Sequence, residues 1–176
     1  MKSVILIIGL QGSGKSTLAH YLARQAESII LSTEVVRGAI FDKRPSLGTD
    51  EDFSALELSV TYRAINHFFS LLANSPINII VEGVFRKESQ RQFLLPNKSC
   101  DNVVKVYLHC PDFVAEERLN MRQWQNTVAP AGVKCYNSTK YQFEVPPEDY
   151  LSFDTSKNSI EEIARAIIKK QKTYKK

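Results

Sequence analysis

The sequence predicts an α/β fold: a three-layer arrangement with helices on both faces of a parallel sheet. Three observations carry this. Helical and extended patterns alternate from end to end, the order of repeated βαβ units. Val4-Ile5-Leu6-Ile7-Ile8 is a continuous apolar run, as a strand buried on both faces requires. Directly after it, Gly9-Leu10-Gln11-Gly12-Ser13-Gly14-Lys15-Ser16 fits G-x-x-x-x-G-K-[ST] and opens a helix. Strand, glycine loop and helix together form the context in which that pattern wraps a nucleotide's phosphates.

The loop's chemistry follows from its residue types. Glycines let the backbone reach conformations closed to other residues, so successive amides can point into one anion-sized hollow. The following helix adds the positive end of its dipole. Gly9, Gly12, Ser13, Gly14, Lys15, Ser16 and Thr17 form the expected nucleotide-binding set. Lys15 reaches the β- and γ-phosphates, and the Ser16 hydroxyl ligates Mg²⁺. The plainer alternative is a glycine-rich turn without a ligand.

The elements follow in order. The first strand spans about Ser3 to Ile8, and the first helix Lys15 to about Gln25. Ser28 to Ser32 reads as a second strand and Thr33 to Phe41 as a short helix. Asp42 to Asp50 holds Pro45 and Gly48 and reads as a loop. Asp52 to Ala73 is a long helix whose apolar stripe is Phe53, Leu56, Val60, Ala64, Phe68 and Leu71, expected to pack in the core. Ile77 to Val81 is a third strand ending at Glu82-Gly83. Glu88 to Leu95 is helical, Val103 to Leu108 is a fourth strand, and Pro111 starts a helix to about Trp124. Residues 125–147 are polar and aromatic with little periodicity. Tyr150 to Phe153 reads as a short fifth strand. Ser159 caps a last helix, with Glu162 completing a capping box. No repeat or second domain is visible, so 1–176 reads as one domain.

Composition excludes several classes. The 176 residues carry ordinary apolar and charged fractions and a net charge of +4. Five lysines (169, 170, 172, 175 and 176) lie in the last eight residues, which contain no acids. Without them 18 basic residues face 19 acidic ones, a balance of −1. The body is electrically even and 169–176 is a basic tail, either a solvated helix end or a weak contact for RNA or an acidic surface. No segment approaches membrane-spanning length, and the apolar N-terminus runs into the glycine loop without a cleavage site, unlike a signal peptide. Cys100, Cys110 and Cys135 are well separated, which fits reduced structural thiols in a cytoplasm; Cys110 closes an apolar strand and is expected to be buried. His20, His67 and His109 show no ligand spacing and read as structural.

In an open α/β sheet, ligands sit beyond the carboxyl ends of the strands. That selects Ser32-Thr33-Glu34, Glu82 to Arg86, and Asp154-Thr155. Glu34 is the candidate general base, since a carboxylate can orient an acceptor hydroxyl and take its proton; a helix-start acid serving the dipole is the alternative. Glu82 stands where an acid can hold Mg²⁺ or the acceptor, or serve a local hydrogen-bond network. Arg118 and Arg122 share one helical face. They could stabilise charge on a transferring phosphoryl group, or pair with Glu116 and Glu117. Arg37, Arg86 and Arg91 are candidates to bind an anionic substrate. Tyr136, Tyr141 and Phe143 either stack on a base or pack beneath a lid. A guanine switch is a poor fit: no D-x-x-G follows the third strand, and Asn97-Lys98-Ser99-Cys100-Asp101 is one residue too long for N-K-x-D and precedes its strand.

These motifs together resemble the P-loop kinase-like family, an AAA-domain ATPase and kinase group of polynucleotide 5′-kinase domains, zeta toxins, and chloramphenicol and gluconate kinase-like phosphotransferases. The matching residues are Gly9 to Thr17, Ser32-Thr33-Glu34 with Arg37, Ile79 to Gly83, Pro111 with Arg118 and Arg122, and Phe143-Glu144-Val145-Pro146-Pro147 before Asp154-Thr155. The resemblance covers nearly the whole chain. It implies a five-stranded parallel sheet ordered 2-3-1-4-5, ATP as donor, a helical, arginine-bearing lid over 118–147, and Asp154-Thr155 near adenine. Two positions depart from the pattern: Glu34 and Glu82 stand where these kinases often carry Asp. The implied activity is transfer of the γ-phosphoryl group of ATP·Mg to a hydroxyl. The even charge of the body favours a small-molecule acceptor, because a polynucleotide groove calls for a basic stripe. The alternatives are a polynucleotide 5′-hydroxyl kinase and a non-catalytic ATP-binding regulatory module.

Overall fold

The computed structural model describes residues 3–41, 54–72, 75–94, 103–123 and 132–173. Its elements are β1 (Val4–Ile8), α1 (Lys15–Gln25), β2 (Ser28–Ser32), α2 (Thr33–Phe41), α3 (Ala55–Leu72), β3 (Asn78–Gly83), α4 (Glu88–Leu94), β4 (Val103–His109), α5 (Asp112–Gln123), α6 (Val133–Lys140), β5 (Leu151–Asp154) and α7 (Ile160–Thr173). The expected loop at 42–50, Cys100 and the tail residues 174–176 lie outside the described residues.

The five strands form one sheet in the order β2-β3-β1-β4-β5, every pair parallel. β1 is central and all five of its residues are buried, which explains its unbroken apolar run. Ile5 and Ile7 face a core that includes Leu18, Leu22, Ile163 and Ile167 of α1 and α7. Val4, Leu6 and Ile8 face the opposite core, with Ile65 and Phe69 of α3 and Leu94 of α4. Helices therefore cover both faces. The register sets the carboxyl ends side by side: Ile8 pairs with Gly83 and Tyr107, Ser32 with Glu82, and His109 with Asp154.

α3 corrects the stripe expected of it. Its buried residues are Glu57, Thr61, Ile65 and Phe69. Leu56, Phe68 and Leu71 are exposed at 70%, 46% and 64%; Phe53 lies outside the described residues. The two series differ by one residue, a rotation of about 100°. Hydrogen bonding decides between them. Ser54 N donates to the Glu57 carboxylate at 2.7 Å and Glu57 N to Ser54 Oγ at 3.2 Å, a capping box. The Thr61 hydroxyl donates to Glu57 O at 2.7 Å. Both polar side chains are thus satisfied where they are buried, and their cost of leaving water is offset.

A helix also lies within the expected lid, in the weakly patterned stretch. Residues 133–140 form α6, whose sequence Val-Lys-Cys-Tyr-Asn-Ser-Thr-Lys is poor in strong helix formers. Tertiary contacts support it: Tyr136 OH donates to Asp112 at 2.7 Å, and Tyr136 packs with Ala115 and Leu119 of α5. At the other end of the chain, Ser159 and Glu162 make the expected capping box, at 2.9 and 3.2 Å.

Candidate active site

The loop between β1 and α1 reverses direction through left-handed backbone. Gly12 has φ 78° and Gly14 φ 88°. Gly12 is doubly constrained, because a Cβ there would lie 2.8 Å from the main-chain oxygen of Ala115. At Gly14 the nearest atom to such a Cβ is Thr155 Cγ2 at 3.9 Å. The loop is therefore pressed against the start of α5 at Gly12, while Gly14 leaves room on the side of Thr155. Lys15 lies back over it, nearly buried, with Nζ donating to Leu10 O at 2.7 Å.

Ser16 and Glu82 meet. The Ser16 hydroxyl lies 3.2 and 3.3 Å from the two carboxylate oxygens of Glu82, and Glu82 is buried. A hydroxyl and a carboxylate at the mouth of a phosphate loop make a hard-oxygen pair of the kind Mg²⁺ takes. Among the described residues no cluster of three or more His, Cys, Asp or Glu could hold a metal.

Arg118 is half-buried and fully engaged. One Nη donates to Gly12 O at 3.1 Å and to Thr155 Oγ1 at 2.8 Å, and the other to Thr155 O at 2.9 Å. Thr155 N in turn donates to His109 O at 2.8 Å. Arg118 thus fastens the phosphate loop to the chain after β5. Asp154 spends its carboxylate on a local turn, accepting from Ser156 N and Oγ, and these bonds hold it below the usual carboxylate range. Arg122 stands one turn beyond Arg118 on α5; its side chain lies outside the described residues.

On the β3 side, Glu34 is in the first turn of α2 and Arg37 one turn on, both half-buried and engaged with neighbours. Because Ser32 pairs with Glu82, α2 starts beside the Ser16–Glu82 pair. Arg86 Nη1 donates to Gln142 at 3.0 Å. Arg91 does not fit the substrate-binding role expected of it. It is 1% exposed. Its donors go to Phe85 O at 2.9 Å, Arg86 O at 3.2 Å, Glu144 O, and the Glu88 carboxylate at 3.2 Å. Glu144 N donates to Arg86 O at 2.8 Å and Glu88 N to the Glu144 carboxylate at 2.7 Å. These bonds anchor 142–144, the last stretch of the expected lid, to the turn after β3.

Between the loop and α6 opens a cavity of about 370 Å³, bordered by Gln11, Ser13, Tyr107, His109, Asp112 and Tyr136. Pattern reading missed Gln11, Tyr107 and Asp112: Gln11 occupies a variable motif position, and the others carry no spacing signal. Cys110, expected to be buried, is half-exposed at the cavity's edge, and its thiol is pushed up chiefly by burial. Burial also raises Tyr107, so its hydroxyl stays protonated. Hydrogen bonds from Lys140 and Tyr136 hold the Asp112 carboxyl below its usual range. Tyr136 is pushed well above its ordinary value, mostly by burial and then by the bond to Asp112. Of the other aromatics, Phe143 stacks on Tyr107 with centroids 5.7 Å apart, whereas Tyr141 is exposed.

Comparison with known proteins agrees with this architecture. Adenylyl-sulfate kinase of Phocaeicola vulgatus is 25% identical over 165 residues, covering 94% of this chain and 79% of its own. The bifunctional enzyme CysN/CysC of Rhodopirellula baltica is 28% identical over 167 residues; 94% of this chain aligns with 25% of that much longer protein. Among solved structures, the Mycobacterium tuberculosis APS kinase CysC in complex with AMPPNP and APS superposes with a TM-score of 0.72 at 19% identity, covering 97% of this chain and 98% of that one. A gluconokinase from Sinorhizobium meliloti gives 0.67 at 18% identity, covering 97% and 92%. Residues 4–146 match the family model described as AAA domain. The phosphate loop, the sheet order and this match agree: the chain belongs to the AAA domain family, among its P-loop kinase-like members.

Proposed function

We propose that the protein is an ATP-dependent kinase that transfers the γ-phosphoryl group to a hydroxyl of a small molecule. The observation that carries this is the Ser16–Glu82 contact at the mouth of a glycine loop, with the start of α2 alongside it in register. The family membership and the small-molecule kinases among the similar proteins support it.

Each residue has a chemical task in this reading. The loop amides and Lys15 hold the phosphates. Ser16 and Glu82 would hold Mg²⁺, which when bound neutralises charge on the β- and γ-phosphates. Glu34 accepts the proton of the acceptor hydroxyl as its oxygen bonds to the γ-phosphorus. The bond from that phosphorus to the bridging oxygen breaks and ADP leaves. Arg118, with Arg122 one turn on, bears on the nucleotide side, and Asp154-Thr155 flank the base. Arg37 and Arg86 lie on the acceptor side. The even charge of the body favours a small molecule over a polynucleotide 5′ end.

Labelled ATP with a panel of hydroxyl compounds tests the proposal. Transfer is expected to one class of small acceptor. Glu34→Gln should lower transfer by about 100-fold or more while ATP affinity stays as it was, the signature of a lost general base. Labelling of DNA or RNA 5′ ends alone would replace the acceptor class. ATP binding that alters affinity for a protein partner, with nothing labelled, would overturn the kinase reading.

A further inference from the structure

We infer that Gly83 is a positioning residue for the reaction: it lets the start of α2 seat directly on the end of β3, and this seat sets where Glu34 stands beside the Ser16–Glu82 pair. The inference deepens the kinase reading and rests on it for the role of Glu34; the seat itself is a matter of packing. Ser32 pairs with Glu82, so the next residues of the two segments, Thr33 and Gly83, come face to face. Both are buried. Thr33 opens α2, with Glu34 directly after it and Arg37 one turn on.

Glycine stands here for room and not for backbone freedom. The φ of Gly83 lies outside the left-handed region, so left-handed backbone is not the reason for it. A Cβ at this position would lie 2.7 Å from both Cγ2 and Oγ1 of Thr33, and 2.8 Å from Cε2 of Phe85. Carbon atoms pack best at about 3.5–4.0 Å, so all three approaches are clashes. Thr33 cannot turn out of the way. Its Cβ carries two heavy branches over three staggered positions, so every rotamer keeps at least one branch at a clashing position.

The surroundings decide which part yields to an added side chain. β3 is paired on both edges, with Ile8 of β1 opposite Gly83 and Ser32 of β2 opposite Glu82. Phe85 is held as well: its ring packs on Tyr62 with centroids 5.6 Å apart, and its carbonyl accepts from Arg91 at 2.9 Å. The start of α2 is what remains to move, and Glu34 moves with it. The atoms nearest the added Cβ belong to Thr33 and Phe85 and not to the phosphate loop, so the grip on the nucleotide stays as it was. Misplacing a reacting group by about 1 Å can lower a rate by about 100-fold. Gly83 therefore governs the transfer step through α2, and Thr33 transmits its effect.

Steady-state kinetics on the full chain, with the acceptor found in the labelling panel, tests this together with crystal structures of the variants. Gly83→Ala should lower kcat by about tenfold or more, with KM for ATP·Mg within about twofold of the parent. Adding Thr33→Ala removes both Thr33 atoms and lets residue 83 move off the Phe85 ring. The double variant should return kcat to within about threefold of the parent, the non-additivity expected of residues in contact. Should Gly83→Ala fail to fold, recovery of both fold and transfer in the double variant carries the same meaning. In crystals of Gly83→Ala the Thr33 main chain should stand about 0.5 Å or more further from β3. A kcat within about twofold of the parent, an equal loss of ATP·Mg affinity, or a defect that Thr33→Ala leaves unrepaired would overturn the assignment. If the parent protein phosphorylates nothing, the kinase reading falls by itself, and the position of Thr33 in the Gly83→Ala crystal still decides the seat: displacement upholds it and an unmoved Thr33 overturns it.

Discussion

Two turns at the same end of the sheet solve the same problem in different ways. The loop after β1 and the turn after β3 leave neighbouring strands, since Ile8 pairs with Gly83, and both pass through positive φ. The first uses glycine, with Gly12 at 78° and Gly14 at 88°; the second uses Phe85 at 44°. A bulky residue there stores strain, which persists only where the surroundings over-determine it. Phe85 is 1% exposed, its ring packs on Tyr62 at 5.6 Å, and its carbonyl is held by Arg91. One turn is therefore made by its own residues. The other is imposed from outside by an arginine that also reaches Glu144 across 53 positions.

Arg91→Leu should produce the largest change. It would leave the carbonyls of Phe85, Arg86 and Glu144 without their donor, at a cost of about 3–5 kcal/mol. Chemical denaturation should show this together with early proteolysis near 142–144. A loss under about 1 kcal/mol would mean that the strained turn holds itself. Gly12→Ala should follow at about 2–5 kcal/mol, combining left-handed backbone with a clash against the α5 main chain. Gly14→Ala carries the same backbone penalty without the clash and should cost only about 1–2 kcal/mol. Equal losses in the two glycine variants would show that α5 does not press on the loop. Ser159→Ala should be smallest, about 1 kcal/mol for a lost cap, with ATP affinity unmoved. It measures what a purely local device contributes.

The same division governs what the chain discloses before folding. The phosphate loop, the alternation of strands and helices and the Ser159–Glu162 cap are readable because each depends on near neighbours and on residue types with few alternatives, whereas the strand order came only with the family resemblance. Glu82 and Ser16 are readable singly, since each ends or follows a strand. Their contact is not, because it joins positions 66 apart. Arg91 misleads in the sequence: an arginine after a strand end suggests an anion site, and only packing reveals its partners as carbonyls. α3 misleads for a related reason, because hydropathy ranks Leu56 and Phe68 above Glu57 and Thr61, whereas burial follows which polar groups find partners. The local pattern does not place α6 within the lid, because its contacts run to Asp112, Gln11 and α5.

Near-neighbour chemistry thus settled the fold class, the nucleotide-binding loop and most element boundaries. Backbone conformation and strand burial are set by residues a few positions apart, so residue types alone specify them. Packing across the sheet settled the rest: which face of α3 is buried, that Arg91 braces rather than binds, and that Gln11, Ser13 and Tyr107 border one cavity. Those outcomes depend on which distant groups satisfy each buried polar atom, and that partnership exists only once the chain has closed on itself.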